Sequence, residues 1–126
     1  MIQTETVVNV ADNTWAKTAL VIWVPGGTRK RIARIGDVVK VAVKKASSTW
    51  IVKDGQVMKA MVVRVRKEIR RKDGTYIRFG DNAVVMLDID NKWNLVPKWK
   101  RIFGPIAREI REKWFKDISN MAEEVI

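Results

Sequence analysis

The stretch that decides the fold is VMKAMVVRVRKEIRRKDGTYIRF, residues 57–79. Its first part, 57–67, is rich in β-branched residues and partly alternates apolar with basic side chains, which is typical of a strand. The pair Asp73-Gly74 then indicates a hairpin turn, because glycine adopts a positive φ without a Cβ clash. A second strand-like run follows at 75–79. The stretch therefore predicts a β-hairpin with a strongly basic tip.

More β-rich runs lie on both sides of this hairpin, and turn signals separate them. The runs are residues 6–10, 18–24, 38–45 and 83–88, and the turns are Pro25-Gly26-Gly27, Ile35-Gly36-Asp37 and Lys53-Asp54-Gly55. Many short strands with regular turns favour a mainly β protein built as a small antiparallel barrel. A chain of 126 residues is of the usual size for a single domain.

The hydrophobic period changes near the end of the sequence. Ile106, Ile110 and Trp114 recur every four residues, which predicts a helix of roughly ten residues that starts at Pro105. Proline suits a first helical position, because its missing N–H would be unpaired there anyway. A second short helical piece is predicted within SNMAEEVI, residues 119–126.

These elements predict one domain over residues 1–126. A β-barrel with a basic hairpin near 64–78 occupies residues 1–103, and a short C-terminal α-helical part occupies residues 104–126.

Composition excludes most catalytic chemistry. The chain has no cysteine and no histidine, so it lacks thiolate ligands, a cysteine nucleophile, the usual general base and the commonest metal ligand. We therefore expect a non-enzymatic protein with no catalytic residues, no metal and no cofactor. The N-terminal residues do not resemble a secretory signal, and no apolar run is long enough to cross a bilayer. We expect a soluble, cytoplasmic protein.

Positive charge is concentrated in the middle of the chain. The formal net charge is +11. Residues 17–78 hold 17 Lys/Arg against 4 Asp/Glu, a net of +13, whereas residues 79–126 hold 8 of each. Such a distribution indicates a polyanionic partner.

Two basic clusters carry this charge, one at 64–74 and one at 28–34. Arg64 and Arg66 are expected to share one strand face, with the triplet at 70–72 at the projecting hairpin tip, where it could pair with phosphates. A solvated charged hairpin would explain one cluster alone, but the second cluster favours nucleic acid. Binding should then weaken steeply with salt.

Two other motifs carry little weight. Gly26-Gly27-Thr28 lacks the second half of a nucleotide P-loop and reads as a simple turn. Asp88 and Asp90 are only two carboxylates, so solvated loop residues explain them better than a magnesium site does.

Longer segments of the sequence resemble the large-subunit ribosomal protein L14 family, and the resemblance runs from Met1 to Ile126. They are MIQTET, NVADN, PGGTRKRIARIGDVVKVAVKKA, KAMVVRVRKEIRRKDGTYIRFGDNAVV, RIFGPIAREIREKWF and the final AEEVI. The resemblance implies a five-stranded, OB-like antiparallel β-barrel that binds large-subunit rRNA. It also implies neighbouring large-subunit proteins, a place at the subunit interface with an intersubunit bridge to small-subunit rRNA, and docking of a ribosome-silencing factor in bacteria.

The family's functional residues carry over to the basic positions of this chain. The implied rRNA contacts are Lys17, Arg29, Lys30, Arg31, Arg34, Lys44, Lys45, Lys53, Lys59, Arg64, Arg66, Lys67, Arg70, Arg71, Lys72 and Arg78. The implied subunit-interface or silencing-factor surface comprises Lys98, Lys100, Arg101, Phe103, Arg108 and Arg111.

Tryptophan stands at several positions where the family usually has glycine. These are Trp15, Trp50, Trp99 and Trp114, and Trp93 lies in a further turn-like context. A turn that needs a positive φ costs a Cβ-bearing residue roughly 1–2 kcal/mol, so chance replacement is a poor explanation. Three explanations remain open: UGA codons that mean glycine in the source, deliberate engineering, and stacking of exposed indoles on RNA bases.

Two alternatives to a ribosomal protein also remain open. One is a redesigned or recoded barrel that keeps the fold without ribosomal function. The other is a general single-stranded nucleic-acid-binding barrel that stacks bases on its tryptophans.

Overall fold

A computed structural model describes residues 2–11, 16–25, 32–46, 57–89, 95–97, 102–108, 110 and 122–126. Ten β-strands lie in these ranges. They are β1 (Val7–Val10), β2 (Ala16–Trp23), β3 (Val38–Ala46), β4 (Val57–Arg64), β5 (Ile69–Arg70), β6 (Tyr76–Ile77), β7 (Ala83–Ile89), β8 (Leu95–Pro97), β9 (Ile102–Ile106) and β10 (Ala122–Val125). Within these ranges no helix is long and apolar enough to cross a membrane.

Five of the strands close into a barrel in the order β1-β2-β3-β4-β7, with β7 returning to β1. The first four pairings are antiparallel. The closing pair is parallel, with Asn9 opposite Ala83, and Ala11 donates its backbone N–H to the carbonyl oxygen of Val84 at 2.8 Å. The predicted five-stranded barrel is confirmed, and its closure is the one pairing among the barrel strands that departs from the antiparallel pattern. β8 extends the sheet beyond β7.

Alternation along the strands fills the barrel. Val39, Val41 and Val43 of β3 are fully buried, while the intervening Lys40 and Ala42 are only partly covered. Cross-strand partners share a face, so Ala60 of β4 lies inside opposite Val39. Apolar side chains at every second position thus form the interior, as the sequence pattern predicted.

β4 differs from β3 because both of its faces are buried. Every residue from Ala60 to Val63 is fully buried. The face of β4 that points away from the barrel interior must therefore pack against another element, and β9 contacts β4. Ile102, Ile106 and Ile110 are fully buried and belong to the same hydrophobic cluster. Residues 102–108 and Ile110 therefore add a second layer to the barrel.

The predicted hairpin is present between β5 and β6. Ile69 pairs with Ile77 and Arg70 with Tyr76, and Gly74 at the turn has φ +88°. The strands are shorter than the sequence suggested, since β4 already ends at Arg64.

The prediction of a helix that starts at Pro105 is wrong. Pro105 lies inside β9, which pairs in parallel with β10, and Gly104 before it has φ +80°, outside the right-handed helical region. A proline is tolerated here because β9 belongs to a two-stranded sheet, where a missing N–H removes little pairing. The four-residue spacing nevertheless identified two core residues correctly, because Ile106 and Ile110 are both buried. Residues 109 and 111–121 lie outside the described residues.

The second predicted helical piece is also wrong, because residues 122–125 form β10. The backbone N–H of Ile126 donates to the carbonyl oxygen of Ile106 at 2.9 Å, and Arg108 donates its N–H to the carbonyl oxygen of Ile126 at 3.2 Å. Pairing with β9 outweighs the helix propensity of Ala and Glu, which is a weak local preference.

Substitutions at three glycines distinguish the cost of a strained φ from the cost of a collision between the new Cβ and a neighbouring side chain. Gly80 has neither a positive φ nor a neighbour where a Cβ would stand, and Gly74 has a positive φ but open space. Gly104 combines a positive φ with the guanidinium of Arg64 lying where a Cβ would be. We expect Gly80→Ala to change the free energy of unfolding by less than about 0.5 kcal/mol, and Gly74→Ala to lower it by about 1 kcal/mol. Gly104→Ala should lower it by about 3 kcal/mol, because strain and overpacking add.

Urea unfolding followed by circular dichroism measures all three variants. Equal losses for Gly74→Ala and Gly104→Ala would contradict the close approach of Arg64 to Gly104.

Candidate nucleic-acid interface

Arg64, at the end of β4, is the buried charged residue of the described chain, with 9% of its surface exposed. Its Nε lies 3.1 Å from Oδ1 of Asp81, and its Nη2 donates to Oδ2 of Asp81 at 3.3 Å. Its Nη1 donates to the carbonyl oxygen of Pro105 at 3.3 Å. The planar guanidinium thus hydrogen-bonds a carboxylate through Nη2 and a strand carbonyl through Nη1, and Nε adds an ion-pair contact with the same carboxylate.

Asp81 is held in turn by the first strand. The side-chain amide of Asn9 donates to Oδ2 of Asp81 at 2.9 Å, and the backbone N–H of Asn9 donates to the carbonyl oxygen of Asn82 at 2.9 Å. The side-chain oxygen of Asn82 also accepts from the backbone N–H of Arg66 at 2.8 Å. This network joins β1, β4, the loop before β7, and β9.

The structure corrects the expected placement of Arg64 beside Arg66. The two side chains do not share a strand face, since β4 ends at Arg64 and Arg66 lies beyond it with its side chain exposed. Because the donors of Arg64 point to Asp81 and Pro105, this residue supports the fold. We leave it out of the proposed RNA contacts.

The hairpin tip contacts the end of the β9–β10 pair. Nη2 of Arg71 donates to the carbonyl oxygen of Ile126, and Nη2 of Arg108 lies 3.0 Å from Oδ2 of Asp73. Arg71 and Arg108 therefore bind within the protein, although Arg108 remains half exposed.

The carboxylate of Asp73 organises this contact. Oδ1 of Asp73 accepts from the hydroxyl of Thr75 at 2.6 Å and from its backbone N–H at 3.0 Å. These hydrogen bonds, with the nearby Arg108 as a smaller contribution, hold the pKa of Asp73 below its ordinary value of 3.8. The carboxylate therefore stays ionised and keeps the turn closed while it faces Arg108.

The remaining described cations of the predicted interface are exposed. They are Arg34, Lys44, Lys59, Arg66, Lys67, Arg70, Lys72 and Arg78. Arg78 lies 3.7 Å from Glu68 with both side chains largely exposed. Among the described residues, no hydrogen bond or ion pair holds the other seven side chains. These seven exposed positive charges therefore have no carboxylate partner within the part of the chain that the structure describes.

Several predicted positions cannot be placed. The side chains of Lys17, Arg29, Lys30, Arg31, Lys45, Lys53, Lys98, Lys100, Arg101, Phe103 and Arg111 lie outside the described residues, as do Trp15, Trp50, Trp93, Trp99 and Trp114. A positive φ at Trp15, Trp50 or Trp99, which a turn that normally uses glycine would require, stays a prediction.

One basic residue, Lys40, was not predicted from the sequence to belong to the interface. Lys40 of β3 lies opposite Trp23 of β2, and its Nζ is 5.5 Å from the centre of the indole ring. The indole is 56% exposed. Such a contact is worth about 0.5–1 kcal/mol at an exposed site. The strand register brings the two together, and this register includes an irregularity between Val21 and Trp23 that alternation alone does not reveal.

No group of three or more acidic side chains that could hold a metal ion occurs within the described ranges. The chemistry that the described surface offers is charge: exposed ammonium and guanidinium groups on a rigid barrel.

A comparison with protein-family models adds the decisive observation. The model for ribosomal protein L14p/L23e matches residues 1–126. The chain belongs to this family. It is therefore a structural protein of the large ribosomal subunit rather than an enzyme, and membership implies association with ribosomes, with rRNA and with other ribosomal proteins.

Arg64 and Arg66 provide a direct test of the division between internal and exposed cations in this L14-family chain. Arg64→Ala leaves Asp81 and the carbonyl of Pro105 without their charged donor, so the free energy of unfolding should fall by about 3 kcal/mol. Arg66→Ala removes an equal charge from the surface and should change it by less than about 0.5 kcal/mol.

Denaturant unfolding of both variants at one salt concentration gives the comparison. Similar stabilities for the two variants would show that Arg64 is not the structural residue that its contacts indicate.

Proposed function

We propose that the chain binds large-subunit rRNA through the exposed cations of the barrel and of its hairpin, by neutralising phosphates on folded RNA. The observation that carries the proposal is the set of seven exposed basic side chains that no described carboxylate pairs with. Exposed like charges repel one another and destabilise a compact protein unless a polyanion covers them. RNA phosphates supply that cover.

The fixed backbone beneath these cations supports recognition of RNA shape. Lys67 lies next to Arg66, whose backbone is bonded to Asn82, and Lys72 lies in a turn that Asp73 closes. The backbone at these positions therefore need not be ordered on binding, although the exposed side chains still lose rotamer freedom. The barrel therefore suits phosphates held at fixed positions by folded RNA.

The remaining ribosomal partners belong to the same proposal. A place at the subunit interface, a bridge to small-subunit rRNA and contacts with neighbouring large-subunit proteins follow from the family resemblance. So does docking of a ribosome-silencing factor near residues 98–111. Of that surface, Arg108 is described, and it is partly engaged by Asp73. We also propose that residues 1–126 form one domain and that the protein works in the cytoplasm.

Salt dependence of binding tests the proposed phosphate contacts. Binding of large-subunit rRNA fragments should weaken linearly on a log–log plot against salt concentration. The double variant Lys67→Ser/Lys72→Ser should reduce the magnitude of that slope by about 1.4 to 1.8, since each of the two phosphate contacts contributes about 0.7–0.9.

A matched variant controls for net charge. Lys113→Ser/Lys116→Ser removes the same charge from residues 79–126, which carry no excess of positive charge. This variant should reduce the slope by less than Lys67→Ser/Lys72→Ser does. Equal slopes for the two variants, or no preference for rRNA fragments over an arbitrary duplex, would refute the proposed interface.

A further inference from the structure

A cleft of about 260 Å³ opens between the turn at 33–34 and the segment that links β4 to β5. Its lining residues are Ala33, Arg34, Val65, Lys67, Glu68, Ile69 and Arg70. The cleft lies beside the basic hairpin.

One wall of the cleft is fixed by backbone hydrogen bonds. Ala33 donates its N–H to the carbonyl oxygen of Ile2 at 2.6 Å and accepts from the N–H of Ile2 at 3.4 Å. The backbone N–H of Arg34 donates to the carboxylate of Asp37 at 2.8 Å. Gly36 in this turn has φ +86° and donates to the carbonyl oxygen of Val62 at 2.8 Å. The turn is therefore attached to both the N-terminal segment and β4.

The other wall is fixed in the same way. The carbonyl oxygen of Val65 accepts from the N–H of Phe79 at 3.0 Å, and Ile69 pairs with Ile77 across the hairpin. Arg66, between them, is bonded through its backbone to Asn82. Neither wall needs to reorganise for a ligand to enter, which lowers the entropic cost of binding.

The lining divides into an apolar floor and a charged rim. Ile69 is half buried and contributes the exposed apolar surface of the floor, and Ala33 and Val65 are buried beneath it. Arg34, Lys67 and Arg70 are exposed, and no hydrogen bond or ion pair within the described residues holds their side chains. Three cations around an apolar floor match a ligand with a flat apolar body and an anionic link on each side.

We propose that this cleft binds a single unpaired nucleotide of RNA, an inference that rests on the proposed rRNA-binding function. The base lies against Ile69 and the aliphatic stems of the rim side chains, while the flanking phosphates contact the charged ends of Arg34, Lys67 and Arg70. An unpaired base can leave the helical stack and pack against a protein surface, and an arginine plane can cover its other face. The volume is below the ~300–1,000 Å³ of pockets for drug-sized ligands, so one nucleotide fits it better than a longer segment does.

Glu68 makes the cleft selective among bases. It is the one carboxylate of the lining, and its contact with Arg78 is 3.7 Å long between exposed groups. A carboxylate accepts two hydrogen bonds from an unpaired guanine, whose N1–H and exocyclic amine lie side by side, and only one from the N3–H of uracil. The cleft should therefore prefer an unpaired guanosine to an unpaired uridine.

Binding to two RNA hairpins with the same stem tests the cleft directly. One hairpin carries a single unpaired guanosine in the stem, and the other is fully paired. We expect the wild-type chain to bind the bulged hairpin roughly tenfold more tightly, the ratio that about 1.4 kcal/mol of base contact gives. Arg34→Ser/Arg70→Ser should reduce this ratio to about one, since both flanking phosphates lose a contact.

A matched double variant separates the cleft from general charge. Lys44→Ser/Lys59→Ser removes the same charge from the outer face of β3 and β4, so it should weaken binding to both hairpins by a similar factor and preserve the ratio. Glu68→Ala should leave the preference for the bulge but remove the preference for an unpaired guanosine over an unpaired uridine. Thermal unfolding of each variant shows whether it is folded.

The outcomes distinguish the cleft from the function on which it rests. A wild-type chain that binds both hairpins equally, with the expected salt dependence, overturns the cleft and leaves rRNA binding intact. A bulge preference that survives Arg34→Ser/Arg70→Ser likewise overturns it. A chain that binds neither hairpin, and does not prefer rRNA fragments over an arbitrary duplex, overturns both proposals.

Discussion

The ion pair between Arg64 and Asp81 is the interaction on which the described structure depends. Arg64 is 9% exposed, so partners in the protein must replace the hydration that its guanidinium loses, and an incomplete set of partners would be strongly destabilising. Asp81 supplies two oxygens and Pro105 supplies a carbonyl. Because these groups come from different parts of the chain, satisfying one arginine fixes the loop before β7 and β9 against the end of β4.

This constraint also determines the backbone at residue 104. The guanidinium of Arg64 occupies the space that a Cβ would need, and the chain turns there with a positive φ. Both conditions select glycine. β9 then continues into its pairing with β10, and it contacts β4, with Ile102 and Ile106 buried in the same hydrophobic cluster as β4. The hairpin tip reaches the same place, since Arg71 and Arg108 connect it to the residues around the β9–β10 pair. Arg64, Arg71 and Arg108 thus make contacts within the protein, and the exposed cations without such contacts in the described residues are the ones that we propose bind RNA.

Most of the barrel could be predicted from the sequence, because alternation and Asp-Gly or Gly-Asp turns are local signals. β3 begins at Val38 as predicted, and Gly74 has the positive φ that its turn requires. The C-terminal strands could not be predicted in this way. Their formation depends on pairing between residues 102–106 and 122–125, which no local pattern records.

The candidate interface could likewise be predicted from the sequence only in part. The sequence identifies a strongly basic region, but it does not reveal which cations have internal partners. Arg64 and Arg66 have the same charge and lie two positions apart, and only the fold separates them. The contact of Lys40 with Trp23 and the cleft beside Arg34 likewise depend on segments that meet in space. The family match covers the whole chain and adds the ribosomal role that composition alone leaves as a general preference for polyanions.

Chemical modification of arginines, read by mass spectrometry in the free protein and in its complex with large-subunit rRNA, tests this division most directly. We expect Arg64 to be unreactive in both states, and Arg34, Arg66 and Arg70 to react in the free protein and to be protected by RNA. Arg64 reacting in the free protein, or the three exposed arginines staying equally reactive in the complex, would contradict the separation of structural from RNA-binding cations.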